Sequence, residues 1–153
     1  MAYAHIIGIG LDLVEVARVR AMVKRSGERF AKRVFTPDEI AYCAGRARKF
    51  EHLAARFAAK EAALKALGTG ITGWASMQEV EVVHDAAGRP ELRLSGGVLK
   101  RARSLGVKAA HLSISHTEGV AAAVVVLEGR SRLHPSSFIL HPSRAVDIPH
   151  APA

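Results

Sequence analysis

Apolar positions alternate along some stretches of the chain and recur every three or four residues along others, and the changes between the two periods predict the elements. Ile6 to Val14 is apolar and β-branched, broken by Gly8 and Gly10, which predicts a buried first strand with Asp12 near its end. Val16, Val19 and Val23 then share one side of a helix that Gly27 stops. Thr36-Pro37-Asp38-Glu39 supplies a capping residue, a proline at the first helical position and a glutamate three after the cap, so a second helix opens there. From Lys49 to Leu67 an alanine-rich stretch carries Leu53, Phe57, Leu64 and Leu67 and ends at Gly68; this is the main helix. Glu79 to Val83 and Glu91 to Leu94 read as a hairpin around Asp85 to Gly88, with Pro90 putting the second strand at an edge or at its own start. Ser95 caps a short helix to Leu105, which Gly106 ends. Ala110 to Ser115 and Val120 to Leu127 are strands joined by His116-Thr117-Glu118-Gly119. Strands and helices without a regular βαβ alternation predict an α+β fold.

Composition narrows the class. A chain of 153 residues that is 49% hydrophobic has the apolar mass for one ordinary domain. No apolar run approaches the roughly 18 to 20 residues needed to cross a bilayer, so the expectation is a cytoplasmic protein without membrane contact. The single cysteine, Cys43, permits no internal disulfide and no thiolate cage, which leaves oxygen or imidazole as the ligands for any metal. After Glu128 the composition breaks: four of the six prolines lie in 129–153, and such a segment sustains neither a helix nor an inner strand. Residues 1–128 are therefore expected to be the folded domain and 129–153 a tail. The net charge of +8 is concentrated locally, because seven basic residues lie between Arg18 and Arg33 against one acid, Glu28.

Several residues invite a chemical reading. Asp12 near the end of an apolar strand is costly unless solvated or paired; the plain alternative is a helix N-cap. Glu61 and Lys65 stand four apart on the main helix, the spacing of an ordinary surface ion pair. The chain then leaves through Gly68-Thr69-Gly70, where two glycines allow close backbone approach to a phosphate while Lys65 supplies charge. This is no P-loop: the lysine precedes the glycines and sits at a helix C-terminus, where the dipole disfavours anions, so Lys65 must do more of the binding. Arg56 lies five positions before Glu61, about 140° around the helix, so the two should not easily reach one pocket. If both are functional, the simplest solution is a site shared by two subunits. Lys60 receives no role. Ser113 and Ser115 share a strand face and His116 begins the turn, but no nucleophile-elbow pattern accompanies them, which argues against a hydrolase.

Three blocks coincide in order: Gly8-Ile9-Gly10-Leu11-Asp12-Leu13-Val14-Glu15; Arg56-Phe57-Ala58-Ala59-Lys60-Glu61-Ala62 with Lys65 and Gly68-Thr69-Gly70; and Ser113-Ile114-Ser115-His116-Thr117. Each is weak alone. Together, with this spacing over residues 5 to 127, they closely resemble the holo-acyl-carrier-protein synthases, the small type of 4'-phosphopantetheinyl transferase. The resemblance implies an α+β fold with one long helix packed on an antiparallel sheet, assembled as a homotrimer with active sites at subunit interfaces. It also implies Mg²⁺-dependent transfer of the phosphopantetheine arm of coenzyme A to a serine of acyl carrier protein, in fatty acid biosynthesis, releasing adenosine 3',5'-bisphosphate.

Carried onto this chain, the resemblance makes Asp12 and Glu61 the metal ligands and Lys65, Gly68, Thr69 and Gly70 the phosphate-binding segment. It puts Arg56, Pro90 and His116 at positions that face coenzyme A from the neighbouring subunit. Mg²⁺ commonly takes one or two carboxylates plus phosphate oxygens and water, which suits phosphoryl transfer from a pyrophosphate. Glu61, a metal-bound water or His116 remain alternatives for the proton acceptor. Arg18, Met22, Arg25 and Arg29 fall at intervals of four, three and four, one face if the helix continues, and would dock an acidic carrier protein with Met22 as an apolar anchor. The tail after Glu128 departs from the family. The rival reading, a nucleic-acid-binding module, draws on the same basic cluster but lacks an aromatic platform at 5% aromatic content. It also leaves Asp12, Glu61 and the Gly68–Gly70 turn unexplained.

Overall fold

In the computed structural model, which describes residues 5–70 and 77–129, the alternating run at the start of the chain becomes β1 (His5–Glu15). Its odd side chains Ile9, Leu11 and Leu13 face outward, while Gly10, Asp12 and Val14 face the long helix α3 (Lys49–Ala66). The glycines are what make this contact possible: a Cβ at Gly8 would lie 1.9 Å from the Ala66 carbonyl oxygen, and one at Gly10 would lie 1.8 Å from that of Ala62. Strand backbone thus rests directly on helix backbone. The alanines of α3 serve the same end, since Ala54, Ala55, Ala58, Ala59, Ala62, Ala63 and Ala66 are all buried.

Helix α1 (Val16–Val34) follows β1 without a loop, and its first amide donates to the Gly119 carbonyl. Gly27 does break the helical dihedrals, at φ 56° and ψ −142°, yet the helix resumes beyond it. Phe30, Ala31 and Val34 pack against the core, so tertiary burial carries the helix past the glycine. Helix α2 (Pro37–Ala44) starts with the expected capping box: Thr36 Oγ1 accepts from the Glu39 amide, and Glu39 Oε2 accepts from the Thr36 amide. A single 3₁₀ turn, Met77–Glu79, leads into β2 (Val80–His84), which pairs antiparallel with β3 (Pro90–Leu94). Pro90 is the first residue of its strand, one of the two positions open to it.

Helix α4 (Gly96–Ser104) corrects one detail. Ser95 occupies the N-cap position, but its side chain makes no capping bond; Glu79 Oε2 accepts the Val98 amide instead, 2.9 Å away. A carboxylate from the hairpin's entry satisfies the helix start and ties α4 to β2. Strands β4 (Val107–His116) and β5 (Val120–Gly129) complete a three-stranded antiparallel sheet of order β1-β5-β4, and β2-β3 forms a separate ribbon. Helix α3 lies on the inner face of the larger sheet. The fold is therefore α+β with one long helix on an antiparallel sheet, as expected. Strand β5 runs one residue past the expected boundary at 128, and the rest of the proposed tail lies outside the described residues.

Because the atoms in the way of a Gly10 side chain are helix backbone, they cannot yield as a flexible side chain would. Gly10→Ala should destabilise the protein by about 3 kcal/mol or more, at or above the usual range for overpacking, measured as a fall in the denaturant midpoint at unchanged slope. An unchanged midpoint would show that β1 does not rest on α3 as described.

Candidate active site

Two clusters of polar side chains flank the central helix, one near each end. At its C-terminal half, Asp12 from β1 meets Glu61 and Lys65. Lys65 Nζ lies 2.7 Å from Asp12 Oδ1 and also donates to the Leu11 carbonyl at 3.1 Å. Asp12 is thus neither a helix cap nor solvated, and Lys65 reaches across to the strand. Glu61 is half-buried, and its carboxyl is pushed above its ordinary value by burial first and by the nearby Asp12 charge second; Lys65 and Arg18 pull the other way. Among the described residues no group of three or more His, Cys, Asp or Glu is gathered for a metal. The two carboxylates are nevertheless a hard-oxygen pair of the size Mg²⁺ takes when phosphate and water complete its shell. Their mutual repulsion, visible at Glu61, is what a divalent cation would relieve.

The turn after α3 has a structural duty besides any binding. Gly68 sits at φ 69°, and its amide donates to the Lys65 carbonyl while the Thr69 amide donates to that of Leu64, the two bonds of a Schellman motif. Thr69 Oγ1 also bonds the Leu64 carbonyl. The glycine is therefore required by the helix end itself, and Gly70 is exposed beyond it. Arg101 of α4 escaped the sequence reading: its Nε donates to the Leu67 carbonyl at 3.4 Å. Its guanidinium adds positive charge at the carbonyl end of α3. Nothing in its own surroundings in the sequence marks it, since the contact depends on how α4 docks.

The second cluster gathers around the N-terminal half of α3. Arg56, 4% exposed, lies over the Tyr42 ring with its guanidinium carbon 4.1 Å from the centroid, and Arg46 lies over the same ring at 4.5 Å. His84 stacks on Tyr42 at 4.9 Å between centroids, and Pro90 pairs with His84 across the β2-β3 ribbon. His52 meets Tyr42 and His116 edge to face. Burial, followed by His116 for His52 and by Arg56 for His84, lowers both pKa values, so these rings are uncharged near neutrality. A cavity of about 240 Å³ is lined by Tyr42, Arg56, Glu81, His84 and Arg93 among others, and Arg56 Nε is buried without a partner. Arg56 is thus linked to His116 through Tyr42 and His52, and to Pro90 through Tyr42 and His84. His116 ends β4 and does not begin the turn; its Nδ1 stands 3.2 Å from Glu51 Oε2.

Lys60 is another residue without a role on sequence grounds. It is completely buried, 2.7 Å from Glu39 Oε2, and donates to the carbonyls of Met77 and Val80. Burial lowers its pKa more than Glu39 raises it. Glu39 Oε1 accepts the Val82 amide, so this pair locks α2, α3 and β2 together and is structural. On α1, Arg18, Arg25 and Arg29 are exposed and Met22 is partly buried. Arg29 follows the Gly27 break, so the regular face predicted through all four residues is interrupted between Arg25 and Arg29.

The chain as a whole is similar to known proteins. The 4'-phosphopantetheinyl transferase superfamily matches residues 8–125. A holo-[acyl-carrier-protein] synthase of Koribacter versatilis is 48% identical over 123 residues, covering 80% of this chain and 98% of that protein. Among solved structures, the holo-[acyl-carrier-protein] synthase of Neisseria meningitidis superposes with a TM-score of 0.74 at 38% identity, covering 80% of this chain and 98% of that one. The Helicobacter pylori synthase in complex with coenzyme A gives 0.69 at 34% identity, covering 78% and 98%.

The raised Glu61 pKa has a consequence for stability. Above that pKa the folded protein carries a charge that the unfolded chain holds more cheaply; below the ordinary carboxylate range both states are protonated and the cost disappears. Glu61→Gln should raise the thermal midpoint at about pH 8, with the gain shrinking as pH falls through the raised value toward the ordinary value near 4. A variant less stable than wild type at both pH values would overturn this account.

Proposed function

The chain belongs to the 4'-phosphopantetheinyl transferase superfamily, and from that premise we propose that it is a holo-acyl-carrier-protein synthase. It moves the 4'-phosphopantetheine group of coenzyme A onto a serine of apo-acyl carrier protein and releases adenosine 3',5'-bisphosphate, in the cytoplasm and in the service of fatty acid biosynthesis. The observation that carries this reading is the meeting of Asp12, Glu61 and Lys65 beside the Gly68–Gly70 turn. Phosphoryl transfer is chiefly a problem of positioning and charge neutralisation, and these side chains supply both.

In the reaction the serine oxygen forms a bond to the phosphorus that carries pantetheine, and the bond from that phosphorus to the adenosine 5'-phosphate breaks. Asp12 and Glu61 would hold Mg²⁺, which neutralises charge on the reacting phosphate. Lys65 and Arg101 offer positive charge to the pyrophosphate at the end of α3, where exposed Gly70 allows close approach. Of this chain's own side chains, Glu61, with its raised pKa, and His116 are the candidate acceptors for the serine proton. The Arg46, Tyr42, Arg56 and His84 cluster suits the anionic, aromatic adenosine portion of coenzyme A.

Two features support a homotrimer with shared sites. Ile6, Ile9, Leu11 and Leu13 of β1 and Val124 of β5 are exposed, from 37% to 66%, an apolar sheet face that a second copy would cover. The two clusters also occupy different sides and ends of one helix, so a neighbouring subunit's Arg56 cluster would complete the Glu61 site. The exposed Arg18 and Arg25, with Met22 between them and Arg29 beyond the kink, form the docking surface for acidic carrier protein; the pull of Arg18 on the Glu61 pKa supports docking beside the chemistry.

Apo-acyl carrier protein incubated with coenzyme A and Mg²⁺ should gain the mass of one phosphopantetheine. Asp12→Ala or Glu61→Ala should lose nearly all of this activity, and a chelator should abolish it in wild type; full activity in any of these three cases would remove the metal assignment. Mixing inactive Arg56→Ala with inactive Glu61→Ala should restore partial activity once subunits exchange, whereas failure despite demonstrated exchange would place the whole site in one chain. Charge reversal at Arg18 or Arg25 should raise KM for carrier protein more than for coenzyme A, and this difference should fade with added salt.

A further inference from the structure

Glu51 is a carboxylate in the first turn of α3, only 8% exposed. A buried charge there needs compensation. It has the positive end of the helix, Arg48 Nη1 at 3.7 Å and His116 Nδ1 at 3.2 Å, both approaching the same oxygen, Oε2. That oxygen is fully buried and has no aligned hydrogen-bond donor, so the separation from His116 is an ion-pair distance and not yet a formed hydrogen bond. His116 keeps 30% of its side chain exposed. The ring therefore presents Nδ1 to a buried acceptor and its remaining edge to the outside.

We propose that Glu51 is a positioning residue for the transfer reaction, acting through His116: it draws the imidazole proton to Nδ1 and leaves Nε2 directed at the substrate. This rests on the function proposed above. A carboxylate that accepts from one ring nitrogen sets which tautomer the other nitrogen presents and fixes the ring's orientation. With Nδ1 protonated, Nε2 either accepts a proton from the attacking hydroxyl or, in the charged ring, donates to a phosphate oxygen; both need the same orientation. Among the described residues, His52 meets the ring edge to face at 5.6 Å between centroids, and Arg48 stands 3.7 Å from the same Glu51 oxygen. His52 in turn faces Arg46 and Arg56, and burial keeps it uncharged, so Glu51 is the anionic acceptor at hand.

The test combines Glu51→Gln, which keeps the shape and removes the charge, with His116→Ala. At alkaline pH, ¹⁵N spectra should show His116 protonated at Nδ1 in wild type and shifted toward the Nε2-protonated tautomer in Glu51→Gln. In the transfer assay, Glu51→Gln should lower kcat by about 10- to 100-fold, the range for a carboxylate that orients a functional histidine, with KM for coenzyme A changed by less than about threefold. In the His116→Ala background the same substitution should cost less than about twofold, because coupled residues are not additive. An unchanged tautomer, or an equal loss in both backgrounds, would overturn the proposal. Should wild type fail to transfer at all, the function proposed above is wrong, while the spectra still decide whether Glu51 sets the His116 tautomer.

Discussion

Everything in this molecule depends on how closely β1 approaches α3. Two glycines on the strand and a row of alanines on the helix remove the side chains that would otherwise hold the two apart, and backbone meets backbone. Helix and strand packed at ordinary separation would leave Asp12 too far from the helix for Lys65 to reach both its carboxylate and the Leu11 carbonyl. Glycine on a strand is normally a weakness. Here the loss in strand propensity is exchanged for the proximity on which the candidate metal site depends.

A helix surrounded on nearly every side by protein cannot keep its polar residues in water, so α3 carries its charges inward and each must find a partner. Lys60 does so through Glu39 and two carbonyls, and the result is a joint between three elements. Arg56 finds the Tyr42 ring and one carbonyl, which leaves its Nε unsatisfied beside a cavity. Glu51 finds a histidine and an arginine without a well-aligned bond. Complete satisfaction marks the structural pair, whereas Arg56 Nε and Glu51 Oε2 stay unsatisfied in the candidate cluster.

The sequence was most legible where one local rule decided the outcome. The Thr36 to Glu39 capping box, the main helix ending at Gly68 and the two closing strands lie where periodicity and capping chemistry place them. It was least legible where a distant partner overruled the local signal. Gly27 reads as a stop, but Phe30 and Val34 find the core and the helix goes on; Ser95 reads as a cap, but Glu79 takes that amide. The same holds at the site. Asp12, Glu61 and Lys65 are nameable from type and spacing, whereas Glu51, Lys60 and Arg101 carry no motif of their own, because their significance arises only when β4, α2 and α4 come to rest against α3.

Helix polarity poses the remaining electrostatic problem. The Gly68–Gly70 turn stands at the carbonyl end of α3, where the helix dipole repels anions, and two carboxylates stand nearby. A phosphate would be doubly disfavoured there without compensation. The structure brings compensation from three elements: Lys65 on the last turn of α3, Arg101 from α4 lying against the Leu67 carbonyl, and Arg18 from α1 within electrostatic reach of Glu61. Only Lys65 belongs to the local segment that ends in Gly68–Gly70; Arg101 and Arg18 come from elsewhere in the chain. An anion site here, as the proposed function requires, would be assembled by tertiary structure against the polarity of its own helix, and for that reason the carboxylate pair is better placed to hold a cation that screens the phosphate than to face the phosphate directly. In the proposed function the positive cluster on α1 serves two neighbours, the carboxylates beside its first turn and an acidic carrier protein arriving from outside, and it can attract the second because only that turn is engaged by the first.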